Sequence, residues 1–293
     1  MILPDFVLSS RINQIWTESG LDSKTQCLNK NYFKNYPYDV KYVYNSRGFR
    51  DNEWPTSGLN QSIWCVGDSF TVGIGAPANH TWPYILKSVT KTNTINVSLD
   101  GASNDWIARK TCRIIDVIAP KHIVIHWSYF HRYEIDNCNL TDEQRRGGLT
   151  NDLSIEGQFA NLKKNLLLVE TEKKETNIIH SFIPDASPIL WPYMFTNKWK
   201  IIKGPDWPKS IPMTLDEFNQ LPLFVRLEVK NFNSMIMEKK FLNYFKYSDM
   251  FNDIIKNVKY IPQIERLDFA RDCHHYDIKT ATKLVDDICQ FLY

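Results

Sequence analysis

No apolar run in this 293-residue sequence approaches the roughly 20 residues needed to span a bilayer, and the opening Met1–Trp16 has neither a basic start nor a long apolar stretch. The chain is therefore expected to be soluble and cytoplasmic, with no signal peptide and no membrane partner. An excess of one charge is also lacking: 35 Lys and Arg face 33 Asp and Glu, and the net charge of +2 gives no electrostatic footprint for nucleic acid. Six cysteines (Cys27, Cys65, Cys112, Cys138, Cys273, Cys289) are scattered with no Cys-x-x-Cys pair, which excludes a zinc ribbon, a dithiol redox motif and a dense disulfide framework. Asn79-His80-Thr81 and Asn139-Leu140-Thr141 fit the glycosylation triplet but carry no weight in a chain that is not secreted. Internal repeats and low-complexity tracts are absent as well.

Two further absences narrow the chemistry. His126, His131, His274 and His275, with Asp272 and Asp277, can be imagined as a metal cluster, but no His-Glu-x-x-His or Cys-rich spacing prearranges them as ligands, so no metal is expected. His126 reads instead as a satisfied core histidine at a strand end. Gly73-Ile74-Gly75 lacks the remaining glycine and the Lys-Ser/Thr ending of a phosphate loop, so no nucleotide and no other cofactor is expected.

Apolar residues make up 43% of the chain, enough for a sizeable core. Short apolar runs bounded by turn residues recur at Ser62–Val66, Thr94–Leu99, His122–Trp127 and Asn177–Ile183, with a weaker one at Lys259–Ile264. Helical periodicity falls between and after them, over His80–Lys91, Ser103–Ala119, Ile155–Lys174 and Lys279–Leu292. Strands alternating with helices predict right-handed βαβ units and a parallel sheet covered on both faces. Residues 1–60 are rich in Tyr and Asn and read as an N-terminal extension packed on the domain formed by 61–293; within them Asp39–Asn45 alternates like a strand or hairpin added to the sheet edge. The stretch from about Asp185 to Met250 breaks the rhythm with Trp191, Trp199, Trp207 and, counting Pro184 at its edge, five prolines from Pro184 to Pro208. It reads as a cap over the site or as a satellite subdomain that only protects the sheet.

Ile63–Val66 runs directly into Gly67-Asp68-Ser69. In an open α/β sheet, ligands bind beyond the carboxyl ends of the strands, where Ser69 would be presented, and Gly67 eases a sharp turn. A serine hydroxyl needs a neighbouring base to become a nucleophile. That base can come from Asp272-Cys273-His274-His275, ahead of the last helix and on the same edge of the sheet as Ser69. A carboxylate three residues before a histidine can fix its tautomer within one tight loop.

These blocks, in this order, resemble the SGNH (GDSL-like) hydrolase superfamily, whose first block is Gly-Asp-Ser after a strand and whose last is Asp-x-x-His before the C-terminal helix. The resemblance covers roughly residues 60–185 and 255–293, and it selects His275 over His274 as base, with Asp272 as its partner. It implies a three-layer α/β/α domain with a five-stranded parallel sheet in flavodoxin-like order. Gly101 matches the second block, which implies that its N–H and that of Ser69 form the oxyanion hole. The third block departs: where the family has Gly-x-Asn-Asp, this chain has His126-Trp127-Ser128-Tyr129-Phe130-His131-Arg132. A donor is thereby missing, which predicts a slow or silent enzyme unless Asn104 or Ser128 replaces it. Alternatively, Trp127 and Arg132 serve a branch-specific task such as gripping an anionic or sugar-like substrate, with Asp68 also placed at the substrate. The Gly-Asp-Ser-Phe-Thr, Thr81–Tyr84 and Ala270–Asp277 segments look most like phage-encoded or environmental bacterial members. Asn45–Arg50 looks like a segment that precedes Gly-Asp-Ser in some relatives. The expected activity is hydrolysis of carboxylic esters, with acetyl groups on sugars the first substrate class and acyl transfer a variant. The alternative is an idle SGNH-like domain that binds glycan or builds a larger particle.

Overall fold

The computed structural model describes residues 6–17, 40–129, 132–134, 155–184, 258–261, 264, 266–268, 270–272 and 275–292. In chain order the elements are β1 (Ile15–Trp16), β2 (Tyr42–Val43), β3 (Ile63–Gly67), α1 (Ser69–Val72), α2 (Trp82–Thr90), β4 (Thr94–Ser98), α3 (Asn104–Ile118), β5 (His122–Trp127), α4 (Ile155–Glu172), β6 (Asn177–Phe182), β7 (Lys259–Tyr260) and α5 (Ile278–Leu292). The region expected to form a cap, Asp185–Met250, lies outside the described residues, as do Asp39, His131, Cys273 and His274. No helix among the described residues is long and apolar enough to cross a membrane.

Five strands form one sheet in the order β4-β3-β5-β6-β7, and every pairing in it is parallel. The first strand of the sheet is therefore flanked by the second and third, the flavodoxin-like order, and the chain reverses direction across the sheet between β3 and β5. Alternation along β3 explains why both faces are covered. Trp64 and Val66 join a core with Ile107, Leu162 and Leu166 from α3 and α4, while Ile63 and Cys65 join one with Leu86 and Leu284 from α2 and α5. The result is a three-layer α/β/α domain.

Local chemistry sets the element ends. Ser103 caps α3 by accepting the Trp106 N–H at 3.0 Å, and Ala119 closes it in a left-handed conformation, so the helix lies just inside the expected Ser103–Ala119. β7 spans Lys259–Tyr260 within the expected Lys259–Ile264, and Ile261 N–H still donates to His180 O at 2.8 Å, while Pro262 and Gln263 lie outside the described residues.

The expected strand at Asp39–Asn45 takes a different place. Tyr42–Val43 pairs antiparallel with Ile15–Trp16 in a separate two-stranded ribbon and does not extend the main sheet. The physical reason lies at edge strand β4, where the Asp51 carboxylate takes the Asn96 N–H at 2.8 Å and the Asn96 side chain reaches Arg50 O at 3.3 Å. Side chains and loop thus cover an edge that another strand would otherwise pair with.

Candidate active site

β3 delivers Ser69 to the carboxyl edge of the sheet through a turn that leaves no room for a side chain at Gly67. A Cβ there would lie 2.1 Å from Thr71 Oγ1 and 3.0 Å from His126 O. The glycine therefore serves close packing of α1 onto β5. Asp68 caps α1, accepting the Phe70 N–H at 3.0 Å, and Ser69 follows as the first helical residue. Its N–H precedes the helical ladder, and neither it nor the Gly101 N–H has a hydrogen-bond partner among the described residues. Gly101, at φ 75°, occupies the left-handed position of the turn closed by Ala102 N–H to Leu99 O at 2.9 Å.

Across the edge, the loop before α5 brings in the other two residues. Asp268 organises that loop, accepting the N–H groups of Asp277, Lys279 and Thr280 and the Thr280 hydroxyl. Ala270 N–H donates to His275 O at 2.7 Å and closes the turn that contains Asp272. Asp272 accepts twice from one residue: the His275 backbone N–H at 3.0 Å on Oδ1, and His275 Nδ1 at 2.5 Å on Oδ2. His275 Nε2 lies 2.7 Å from Ser69 Oγ. A carboxylate can only accept, so the imidazole proton sits on Nδ1 and Nε2 accepts from the serine hydroxyl. The Phe70 ring packs on the His275 ring at 4.4 Å and restricts its rotation. All three residues are buried.

The divergent third block is tied to the first two. Ser128 donates its hydroxyl to Asp68 Oδ2 at 2.6 Å and its N–H to Asn104 Oδ1 at 3.0 Å. The Asn104 amide donates to Tyr129 O at 2.9 Å, and its backbone N–H to Arg132 O at 3.0 Å. Arg132 lies 3.8 Å from Asp68 Oδ2 and stacks over the Tyr129 ring. Burial pushes the Asp68 carboxyl upward, a shift opposed by the Arg132 charge and by the hydrogen bonds from Ser128 and Phe70. Both donors of Ser128 are thus committed, whereas the Asn104 amide, with two N–H groups, spends one on Tyr129.

Trp127, expected at the substrate, is instead fully buried in the core. Its indole N–H goes to His180 Nδ1 at 2.9 Å, its ring lies parallel to that imidazole, and His180 passes the chain on to Glu170. As the last residue of β5 it points into the layer beneath the sheet, so no face of it remains for a ligand. His126 is likewise buried, bonded to Ser181 Oγ at 2.9 Å and lowered to about 3 by burial and by the Arg266 charge, so it is neutral. Asp268 was not singled out in the sequence: it lies ten residues before Ile278, and Asp277 holds the position where a local capping signal would be read.

No protein-family model and no curated protein matches the chain. Among solved structures it is similar to TesA, at 13% identity and a TM-score of 0.42, over 79% of this chain and 98% of that one. It is similar also to a putative lipolytic protein of the G-D-S-L family from Desulfitobacterium hafniense DCB-2, at 14% identity and a TM-score of 0.39, over 79% of this chain and 99% of that one. A third is an acetyl xylan esterase from the rumen bacterium Butyrivibrio proteoclasticus, at 13% identity and a TM-score of 0.37, over 82% of this chain and 66% of that one.

Proposed function

We propose that this chain is a serine hydrolase of the SGNH class that cleaves carboxylic esters through an acyl-enzyme. The observation that carries the reading is the continuous relay from Ser69 Oγ to His275 Nε2 at 2.7 Å and from His275 Nδ1 to Asp272. Ser69 Oγ attacks the ester carbonyl carbon while His275 Nε2 takes its proton, and Asp272 stabilises the imidazolium that results. The tetrahedral intermediate collapses when His275 returns that proton to the departing alkoxide, leaving the acyl group on Ser69. Water then attacks with His275 again as base, and the acid departs with Ser69 regenerated.

The oxyanion is held by the N–H groups of Ser69 and Gly101, both unpartnered among the described residues. Asn104 is the better candidate than Ser128 for a third donor, because the Ser128 hydroxyl already serves Asp68 and its N–H already serves Asn104. Acetyl esters of sugars are the first substrates to try.

The test is labelling of the purified chain with a fluorophosphonate beside Ser69→Ala and His275→Ala, read by intact mass. One adduct on the parent and none on Ser69→Ala is the expected result. A folded parent that takes no adduct overturns the hydrolase reading and favours an idle, glycan-binding domain, which glycan affinity indifferent to Ser69→Ala would support.

A further inference from the structure

Residues ahead of the sheet reach the relay from behind. The Arg50 guanidinium is buried and donates to the carbonyls of Val72 at 3.0 Å, Gly73 at 2.5 Å and Ala76 at 2.8 Å, and also to Lys41 O at 3.1 Å. It therefore fixes both ends of the loop that leaves α1. The same guanidinium lies 4.3 Å from the ring centroid of Tyr42, also buried, and the Tyr42 hydroxyl accepts the Gly75 N–H at 2.8 Å. The Gly75 carbonyl accepts the Arg271 N–H at 3.0 Å. Gly75 adopts φ +77°, and a Cβ on it would lie 2.8 Å from Asp272 Oδ1 and 2.9 Å from Ala270 Cβ. The backbone at Gly75 thus presses directly against the carboxylate that orients His275.

We infer that Arg50 and Tyr42 are positioning residues for the carboxylate of the relay, acting through Gly75 to hold Asp272 against His275. The inference rests on the hydrolase reading above and gives a role to the Asn45–Arg50 segment. Asp272 reaches His275 from a short loop whose outer side needs a backstop. Without one, the carboxylate can retreat by rotation about its own side-chain bonds. Glycine at 75 lets the backstop approach closely, the Tyr42 hydroxyl sets its height, and the three carbonyls gathered by Arg50 keep the loop from swinging out. Displacement of a reacting group by about 1 Å costs on the order of 100-fold in rate, so a backstop of this kind bears on turnover while leaving substrate affinity alone.

The experiment uses the full chain with Tyr42→Phe, which removes the acceptor without changing the core volume, together with Arg50→Met and Arg50→Lys. Fluorophosphonate inactivation is measured against probe concentration. The His275 Nδ1 proton is followed by proton NMR, its signal identified by its loss in His275→Ala. The inference expects the saturating inactivation rate of Tyr42→Phe to fall about 10- to 100-fold with the half-saturating probe concentration unchanged, and the Nδ1 proton signal to move or broaden. Arg50→Met is expected to behave likewise, with partial recovery in Arg50→Lys, whose single ammonium reaches fewer carbonyls. Folded Tyr42→Phe and Arg50→Met variants that keep both the parental rate and the parental signal overturn it. Should the parent take no probe, the hydrolase reading fails on that result alone. The proton signal in the same variants then decides the positioning role: a displaced signal upholds it and an unmoved one overturns it.

Discussion

Asp272 accepts from His275 on both of its oxygens, and that double use defines what a substitution there must do. An asparagine has one acceptor and one donor end, so whichever way the amide turns, either the His275 N–H or His275 Nδ1 faces an N–H group. With a donor against Nδ1 the imidazole proton moves to Nε2, where it confronts the Ser69 hydroxyl. Asp272→Asn is therefore expected to lower turnover of p-nitrophenyl acetate by about 10³- to 10⁴-fold while leaving the circular dichroism spectrum unchanged. A loss below about 10-fold would mean that His275 keeps its tautomer without the carboxylate. The meeting of Ser69, Asp272 and His275 was legible because each sits in a short local pattern, strand-Gly-Asp-Ser or Asp-x-x-His, on the same edge of the sheet. The Ser128–Asp68 bond was not, since it joins residues 60 positions apart and only the parallel register of β3 and β5 brings them together. Trp127 misled for a related reason: a strand-end tryptophan reads as a ligand platform until the partner of its N–H, 53 positions away, is known.

At the scale of elements, the runs that became β3, β4, β5 and β6 could be read to within a residue, because strands buried on both faces carry nearly continuous apolar sequence. The ribbon of β1 and β2 escaped because each strand has only two residues and its partner is distant in sequence. What replaced the expected edge strand has its own consequence. The Asp51 carboxyl is turned inward onto the Asn96 N–H and the Trp54 indole N–H, and desolvation pushes it up to about 6 in spite of those bonds. A raised carboxyl binds its proton more tightly in the native chain than in the unfolded one, so the native state is favoured most below the ordinary carboxylate range. That contribution is lost as the pH rises to about 6, by roughly 3 kcal/mol at most, and less to the extent that water reaches the partly exposed residue. Asp51→Asn cannot ionise, so the difference in urea midpoint between parent and variant is expected to change between about pH 4 and 6 and to be flat above. A pH-independent difference would show that the carboxyl titrates normally.

For the molecule as a whole, the sheet and its βα rhythm were legible, whereas the way residues before β3 enter the same core was not. Their Tyr- and Asn-rich composition suggested an N-terminal extension packed on the core, without saying which residues enter it. Among the described residues, Phe6, Leu8 and Phe49 belong to the cluster that contains Trp64, Ile107 and Ile125, and the Phe6 ring lies 5.9 Å from Trp64 and 6.5 Å from Trp54. Lys110 of α3 adds its ammonium 5.8 Å from the same ring. Aromatic contacts between segments so far apart follow no local period, so sequence patterning cannot announce them. If this segment is part of the core, truncating Phe6 leaves a cavity between β3 and α3 that surrounding side chains cannot fill. Phe6→Ala is then expected to destabilise the chain by about 3–5 kcal/mol, comparable to truncation of a central core aromatic, and to lower the midpoint of one cooperative urea transition. An accessory layer behaves differently: the same substitution would leave the main transition in place and split off a small, early one. Equilibrium urea unfolding followed by tryptophan fluorescence and by circular dichroism separates the two, since coincident curves displaced together require that residues near the start of the chain and the five-stranded sheet unfold as one unit.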